Sequence, residues 1–443
     1  MILKNDKKTI RAWTFYDWAN SSFPLVINSA IFSTFYGKQT ETRDPVTKVL
    51  ISDNIVAFCH VFKNTEFYSY IVSFALLIVC FTAPILSGIA DYKGNKKRFL
   101  AQFCMLGSFS CAGLFFFDKE NIVLSMIPFV TATIGFWGSL VFYNAYLPEI
   151  ATPDMQDKVS ARGFAMGYLG SSLLLIINLI FIMTKTFEIA FQIKGLDARL
   201  AFVTVALWWF GFAQYTLRYL PKGEPSGKEG DGNYLTKGFR ELAKVFKELK
   251  HQIALKRFLC SYFFYNMGVQ TVMYMAVLFA QKEITWPDDT HKDTALIISI
   301  LLIQFLGVAG SFLFSWLSGK IGNIKALLMA IFIWILICVC VFLFIHTPIQ
   351  FYFVAASVGL VMGGIQALSR STYSKLLPET NDHASYFSFF DVSEKLGIVL
   401  GVFAFGFIEG ATGSMRQSVL ALISFFALGF VLLLLVPKQQ VTT

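Results

Sequence analysis

Stretches of about 20 apolar residues recur along the whole chain, and they limit its possible folds more than any other feature. A helix of that length crosses the hydrocarbon core of a bilayer, whereas the strands of a membrane β-barrel are short and alternate in polarity. The chain is therefore predicted to be an all-α integral membrane protein with twelve transmembrane helices. The predicted spans are 13–36, 67–90, 99–117, 122–147, 160–184, 200–220, 258–281, 294–316, 324–345, 350–376, 385–409 and 417–437.

The composition favours a membrane protein over a soluble or disordered one. Of the 443 residues, 56% are hydrophobic and 15% are charged, against roughly 25% charged in an average soluble protein. So few polar residues would not cover the surfaces of the roughly three domains that a soluble chain of this length forms. The net charge of +9 is consequently assigned to loops at one membrane face, and no nucleic-acid partner is predicted.

The distribution of Lys and Arg predicts the orientation of the chain. Loops on the side of the two termini hold 25 of the 37 basic residues, the opposite loops hold 11, and Lys395 lies within a span. Basic residues accumulate in cytoplasmic loops, so both termini are predicted to be cytoplasmic, in the inner membrane if the chain is bacterial. If the stretch between spans six and seven is left out, the loops on the side of the termini hold 15 basic residues and the opposite loops hold 11. The predicted orientation therefore depends on that stretch.

A polar segment separates two groups of six spans. We predict an N-terminal bundle over 1–220, a cytoplasmic linker over 221–256 and a C-terminal bundle over 257–443. Gly, Pro and charged residues over 221–232 indicate a flexible start. Beyond them, an amphipathic helix on the cytoplasmic leaflet is predicted, with a regulatory partner site as the alternative. Its apolar face would hold Phe239, Leu242, Phe246, Leu249 and Ile253, and its basic face Lys237, Arg240, Lys244, Lys247 and Lys250.

The two groups resemble each other in sequence. A Leu-Pro-Glu triplet at 147–149 recurs at 377–379, which is 230 residues later. Tyr16 and Asn20 in the first span likewise resemble Tyr262 and Asn266 in the seventh. Internal repeats of this kind are typical of secondary transporters, whose substrate sites lie between the repeats near the bilayer midplane.

The second span ends in Gly88-Ile-Ala-Asp91-Tyr-Lys-Gly94, and Lys96, Lys97 and Arg98 follow. This motif resembles the loop signature of the major facilitator superfamily, whose members are transporters. The resemblance implies that Asp91 meets the start of the eleventh helix when the cytoplasmic side is closed, and a carboxylate is stabilised at a helix N-terminus. The corresponding loop of the second half has Gly319 where Asp would stand, which argues against a matching contact there. Residues assigned to a conformational latch are Gly88, Asp91, Gly94, Lys97, Arg98, Glu149 and Glu379.

Four further segments resemble the vacuole effluxer-like branch of that superfamily. They are YDWANSSF at 16–23, NAYLPE at 144–149, VSARGFAMGY at 159–168 and YFSFFDVSEKLG at 386–397. The resemblance covers nearly the whole chain. It implies export of small metabolites, with amino acids attributed to the fungal vacuolar members.

Three charged residues lie within the eleventh predicted span. Placing a charge at the bilayer centre costs about 2.5–3.5 kcal/mol, so such residues are usually functional. Asp391 and Lys395 are four residues apart and are expected to pair along one helix face. Glu394 then remains as a candidate proton carrier or ligand for a cationic group. The alternative is a structural cluster of salt bridges that holds helices together.

Other polar residues in the spans are further candidates. Asp17 either caps the first helix or faces a cavity with Asn20. Each span amide binds either a substrate or a neighbouring helix. Arg162 and Arg370 lie near cytoplasmic span ends and are interpreted as positive-inside anchors. The candidate set for substrate binding or coupling is Asp17, Asn20, Asn144, Asn266, Gln270, Gln366, Asp391, Glu394 and Lys395.

The chain has no sequence motif for a catalytic or metal centre. It contains no P-loop, HExxH or GxSxG sequence, and its seven cysteines are interpreted as free thiols. We therefore predict no enzyme activity, no cofactor and no metal. The expected function is transport of a small polar metabolite by alternating access, with proton coupling, in a monomer. The alternatives are a lipid flippase, a permease-like receptor without transport, and a membrane-embedded enzyme.

Overall fold

The computed structural model describes residues 3–44, 50–223 and 234–437, and these residues are almost entirely helical. Among the described residues, eleven helices are long and apolar enough to cross a membrane. The all-α membrane fold predicted from the apolar stretches is confirmed. Whether the number of spans is twelve depends on the first stretch, which is helical but divided.

The first predicted span consists of three successive segments. They are α1 (Lys7–Asn20), a π-helical segment (Phe23–Ile31) and α2 (Phe32–Thr40). Pro24 lies at the start of the π-helical segment and has no N–H with which to continue the ladder of α1. The hydropathy pattern predicts this span but contains no information about the change of helix type.

The helix α1 begins six residues before the predicted span. Asp6 is its N-cap, because its carboxylate accepts hydrogen bonds from the backbone N–H and the hydroxyl of Thr9 at 2.8 and 2.7 Å. These two bonds lower the pKa of Asp6. The alternative that Asp17 caps the first helix is therefore wrong, since Asp17 lies about three turns further along.

Two short antiparallel hairpins follow the first span. The first pairs β1 (Thr42–Arg43) with β2 (Leu50–Ser52), and the second pairs β3 (Asn54–Ala57) with β4 (His60–Lys63). Phe58 and Cys59 connect β3 to β4 with φ of 50° and 60°. Positive φ at both central residues is the conformation of a two-residue type I′ turn.

The remaining helices follow in chain order. In the first half they are α3 (Asn64–Lys93), α4 (Lys96–Gly113), α5 (Ile122–Asn144), α6 (Leu147–Ile150), α7 (Pro153–Thr184), α8 (Thr186–Phe191) and α9 (Leu196–Tyr219). A helix between the halves, α10, covers Tyr234–His251. The second half contains α11 (Ile253–Glu283), α12 (Asp289–Ile321), α13 (Asn323–Phe344), α14 (Pro348–Leu376), α15 (His383–Thr412) and α16 (Met415–Leu434).

The first and last described residues and α10 lie at one end of the bundle, which we call the linker end. The backbone N–H of Asn5 donates to the carbonyl of Ile150 at 2.7 Å, and Arg257 donates to the carbonyl of Leu435 at 2.6 Å. The hairpins lie at the opposite end, which we call the hairpin end. The predicted cytoplasmic side corresponds to the linker end.

The helix α10 packs against the protein. Val245 is fully buried, whereas Phe239 and Phe246 are about half exposed, and the helix contacts α3 and the start of α15. A helix was predicted in this stretch, and its attachment to a lipid leaflet stays a prediction. Residues 224–232 of the predicted flexible segment and the side chain of Lys237 lie outside the part of the chain that the structure describes.

The two halves meet along two pairs of surfaces, α3 against α15 and α7 against α12 and α14. Within the second half, α12 and α14 approach so closely that a Cβ on Gly359 would lie 2.6 Å from the carbonyl oxygen of Ile303. A Cβ on Gly310 would meet the carbonyl oxygen of Leu360. Only glycine permits such backbone contact between helices.

Candidate functional site

Asp391, Glu394 and Lys395 of α15 form a cluster in the middle of the bundle, in which Asp391 and Lys395 are buried and Glu394 is mostly buried. Lys395 lies 12 residues from the start of α15, which is about 18 Å along the helix axis. Its ammonium pairs with Asp391, as the i,i+4 spacing predicts, and lies 3.8 Å from Oε2 of Glu394. Two carboxylates therefore face one ammonium within this cluster.

Residues from two other helices complete the α15 cluster. The amide Nε2 of Gln270 in α11 donates a hydrogen bond of 2.9 Å to Oε1 of Glu394. The ammonium of Lys395 lies 4.2 Å from the ring centroid of Trp137 in α5, a cation–π contact with the opposite half. The cluster thus connects the second half to the first at mid-bundle.

A second buried charge pair lies across the two halves. Asp17 of α1 accepts hydrogen bonds at 3.3 Å from both Nη1 and Nη2 of Arg370 in α14, and both side chains are almost fully buried. The hydroxyl of Tyr143 donates to the same Asp17 oxygen at 2.7 Å. We call Asp17 and Arg370 the inter-half pair.

The guanidinium of Arg370 is enclosed on every side. It donates to the hydroxyl and the carbonyl oxygen of Ser160 at 3.0 and 2.9 Å, and to Asn144 at 3.4 Å. The rings of Trp13 and Phe164 lie 4.7 and 4.2 Å from it. The interpretation of Arg370 as a positive-inside anchor is wrong, because the side chain points into the interface between the halves and is 3% exposed.

A glycine allows α7 to approach the inter-half pair. A Cβ on Gly163 would meet Oδ2 of Asp17 and would lie 2.8 Å from Nη2 of Arg370. The backbone of α7 therefore fills the space beside the two charges. Any larger residue at this position has to displace one of them.

The predicted span amides have different environments. Gln366 accepts a hydrogen bond of 2.6 Å from the hydroxyl of Tyr168, which connects α14 to α7. Asn20 and Asn266, which correspond in the sequence repeat, are both buried and each has an Nδ2 without a partner among the described residues. A buried donor without an acceptor is costly, so these two amides are available to a ligand or water.

Some of the predicted latch residues meet at the linker end. Asp91 accepts hydrogen bonds from the backbone N–H groups of Ala384 and Ser385 at 3.2 and 2.7 Å, in the first turn of α15. The contact that the family resemblance implies is thus present in this structure. Gly88 is buried beside it, and Gly94 ends α3 with a φ of 64°.

The basic residue of this latch differs from the two that were assigned to it. Lys96 pairs with Glu149 and lies 3.9 Å from Asp91, and Glu149 also contacts His383 at 2.8 Å. Lys97 and Arg98 follow Lys96 in α4, and successive residues of a helix lie on different faces. Lys97 donates instead to the carbonyl of Leu220 at 2.7 Å, and Arg98 is exposed.

The repeat partner of Glu149 does not take part in the latch. Glu379 lies exposed between α14 and α15 and makes no hydrogen bond or ion pair in the described part of the chain. The Leu-Pro-Glu triplet therefore occurs in both halves, but only Glu149 of the first triplet contacts the latch.

A second latch joins the two halves, and its carboxylate belongs to the first half. Asp157 in α7 accepts hydrogen bonds from Ser318 at 2.9 Å and Asn323 at 2.8 Å, where α12 meets α13, and pairs with Lys375 at 2.6 Å. The carboxylate is on α7 rather than at Gly319. Position 319 is a glycine and contributes no carboxylate, as expected, and the contact with this loop comes instead from Asp157, which lies outside the loop motif.

Together these contacts close the linker end. The inter-half pair, the two latches and the Tyr168–Gln366 bond all lie between the middle of the bundle and that end. Within residues 3–44, 50–223 and 234–437, no group of three His, Cys, Asp or Glu side chains is placed to hold a metal ion.

Comparison with known proteins gives consistent likenesses. The family model described as vacuole effluxer Atg22 like matches residues 5–442. The chain is 30% identical to the uncharacterized MFS-type transporter YxiO of Bacillus subtilis, over all of this chain and 97% of that one. It is 23% identical to Autophagy-related protein 22 of Saccharomyces cerevisiae, over 94% of this chain and 89% of the relative.

Solved structures agree on the architecture. The Escherichia coli fucose:proton symporter FucP aligns with a TM-score of 0.67 at 15% identity, over 98% of each chain. At that identity the likeness shows the fold alone. The fold is that of the major facilitator transporters, as the sequence resemblance implies.

Proposed function

Because the chain belongs to the vacuole effluxer Atg22-like family of major facilitator transporters, we propose that it exports a small polar metabolite, such as an amino acid, by proton-coupled alternating access. The protein is a multi-pass membrane transporter and not an enzyme.

Alternating access follows from the closed linker end. Opening this end requires that Asp91 leave α15, that Asp157 leave the α12–α13 junction, and that Asp17 part from Arg370. All three contacts join helices of opposite halves. Rotation of one half against the other breaks them together and would expose the middle of the bundle to the linker side.

We assign proton coupling to Glu394. The observation that supports this assignment is the excess of negative charge in the α15 cluster, where two carboxylates face one ammonium. Lys395 is already paired with Asp391, and Glu394 lies 3.8 Å away with an amide as its nearest donor. An unmatched buried charge is costly. Uptake of one proton on Glu394 would neutralise the cluster, and release of that proton on the other side would restore the charge.

The proposed direction is out of the cytoplasm. The linker end holds the larger share of Lys and Arg, so it is placed in the cytoplasm by the positive-inside rule. The family is described as an effluxer. Protons would enter from the hairpin side and substrate would leave towards it, with the monomer as the working unit.

The proposal is tested with the full chain in proteoliposomes. We would load vesicles with radiolabelled amino acids, dipeptides or sugars in turn, impose a pH gradient, and measure uphill flux and counterflow. Glu394→Gln keeps the shape of the side chain and removes its charge. It is expected to abolish uphill flux while counterflow continues.

The matched control is a carboxylate on the same helix that lies outside the cluster. Glu409 pairs with Lys282 at the hairpin end, 2.7 Å away, and Glu409→Gln is expected to transport like the parent. Uphill flux by Glu394→Gln at the parent's rate would disprove the coupling role. Movement of fluorescent phospholipids across the vesicle bilayer, without flux of any polar compound, would establish the lipid flippase instead.

A further inference from the structure

The first latch contains a histidine that joins the two halves. His383 is the first residue of α15, and its Nδ1 lies 2.8 Å from Oε1 of Glu149 in α6. Both side chains are mostly buried, with 13% and 10% of their surface exposed. Histidine is the side chain whose charge ordinarily changes between pH 5 and 8. The contact therefore connects closure of the linker end to a group that gains and loses a proton in this range.

The carboxylate of Glu149 gains from a positive charge on this histidine. Its Oε1 contacts both His383 and the ammonium of Lys96, whereas its Oε2 is buried and has no hydrogen-bond partner among the described residues. A neutral imidazole can donate one hydrogen bond to the carboxylate, but only the protonated ring brings a charge to it. Charge-assisted hydrogen bonds are roughly twice as strong as neutral ones. Protonation of His383 therefore strengthens its contact with Glu149.

Charged groups of several other elements also lie beside the start of α15. They are Asp91 of α3, Lys96 of α4, Lys244 and Glu248 of α10, and Asp382 directly before α15. Lys244 pairs with Asp382, and Glu248 accepts a hydrogen bond from Tyr386, so these groups have partners of their own. The carboxylates of Asp91 and Glu149 both attract a cation at His383, and together they outweigh the repulsion by Lys96.

Opening of the linker end removes this environment. His383 moves away with α15, whereas Asp91, Lys96 and Glu149 stay with the first half. In the open state the ring lies in water at the N-terminus of a helix, where the macrodipole disfavours a cation. The closed state therefore binds the proton more tightly than the open state does, and by linkage the uptake of a proton favours closure.

We propose that His383 is a pH sensor that locks the linker end when the solution on that side becomes acidic. Protonated His383 holds α15 against Glu149 of the first half, and loss of the proton weakens this hold. The inference rests on the alternating access proposed above and adds a regulation to it. With the linker end in the cytoplasm, an acidic cytoplasm would stop a cycle that brings in further protons.

The direction of the pH effect separates the histidine from the carboxylates of the latch. Uptake of a proton by Asp91 or Glu149 would remove a negative charge that holds α15 and would open the linker end. Uptake of a proton by His383 adds a charge that closes it. Closure on acidification is therefore the result that assigns the effect to His383.

The experiment measures distances between the two halves in the full chain, in lipid nanodiscs with the same pH on both sides. Spin labels are attached to cysteines at positions 98 and 325, which are exposed at the starts of α4 and α13, after the native cysteines are replaced by serine. Glu394→Gln is present throughout, so protonation of the proposed coupling residue does not contribute. Between pH 8 and pH 6 the ratio of open to closed molecules is expected to fall about tenfold, as one charged hydrogen bond implies.

Two variants fix the charge at position 383. His383→Gln donates a hydrogen bond but takes up no proton, so it is expected to show at both pH values the ratio that the unsubstituted histidine shows at pH 8. His383→Arg is a permanent cation and is expected to show the pH 6 ratio at both. The matched control is His251→Gln, at an exposed histidine of α10 at the same end of the bundle, which is expected to keep the full pH dependence.

The proposal is overturned if the ratio of open to closed molecules does not change with pH, if it rises as the pH falls, or if His383→Gln keeps the pH dependence. Melting temperatures check that each variant folds, and His383→Arg decides the question if His383→Gln does not fold. Failure of the sensor alone leaves two distance populations whose ratio is independent of pH. Failure of alternating access leaves a single distance at every pH and in every variant, so the two failures are distinguishable.

Discussion

Replacement of Asp91 by Asn should favour the state in which the linker end is open. In the closed state the carboxylate accepts hydrogen bonds from two backbone N–H groups of α15, at Ala384 and Ser385. An amide has one oxygen to accept with, and its NH₂ group would face the second N–H donor. Lys96 keeps Glu149 as its partner, so the substitution leaves no orphaned cation.

The size of the effect follows from these contacts. A buried N–H left without an acceptor costs about 1–3 kcal/mol. Loss of a negative charge at a helix N-terminus costs about 0.3–1 kcal/mol. Taken together, these losses are expected to shift the equilibrium between the two states by about 2 kcal/mol towards the open state. A shift of that size raises the ratio of open to closed molecules by roughly 30-fold.

The assay is the rate at which a water-soluble maleimide labels a cysteine at position 374. Ser374 lies one turn beyond Arg370 on α14, is 4% exposed, and has a hydroxyl without a partner among the described residues. The seven native cysteines are first replaced by serine. Labelling in Asp91→Asn should be roughly 30-fold faster if opening precedes the reaction.

The control is a carboxylate far from the latch. Glu120 is exposed at the hairpin end, and Glu120→Gln should label at the parent's rate. An unchanged rate in Asp91→Asn, in protein that melts at the parent's temperature, would refute the argument that this carboxylate holds the linker end closed.

Three further predictions concern stability and the second latch. Lys395→Met should lower stability by about 3–5 kcal/mol, because two buried carboxylates lose their counter-charge, and adding Asp391→Asn should restore part of the melting temperature. Gly310→Ala should reduce the yield of folded protein, whereas Gly406→Ala, with open space at its Cβ, should melt like the parent. Asp157→Asn should accelerate labelling at position 374 as Asp91→Asn does, and equal rates in variant and parent would show that the second latch contributes nothing.

The sequence predicts the features that depend on local pattern. Hydropathy locates the helices, because each crosses an apolar layer of fixed thickness. The pairing of Asp391 with Lys395 follows from their spacing on one helix. The motif around Asp91 predicts its contact with α15 through a family resemblance, since nothing in the residues themselves specifies a partner almost 300 positions away.

Contacts between the halves are not predictable in this way. Asp17 and Arg370 are 353 residues apart in the sequence. Their contact is evident only in the folded structure, where the face of α14 that carries Arg370 is turned towards α1 and α7. From its position in the span, Arg370 fits an anchor at the membrane surface equally well. Asp157 was missed for the same reason, because its partners lie at the junction of α12 and α13.

The attachment of α10 has a consequence for the rate of the transport cycle. Lys244 of this helix pairs with Asp382 at 2.8 Å, and Glu248 accepts a hydrogen bond of 2.9 Å from Tyr386, so α10 holds the start of α15 from outside the bundle. Lys244 is half exposed, and such a contact contributes at most about 1 kcal/mol. However, α10 is joined directly to α11 in the chain and so stays close to α15 when their contact breaks. Its effective concentration at α15 is therefore high. Re-formation of the contact after each opening then needs no diffusional search.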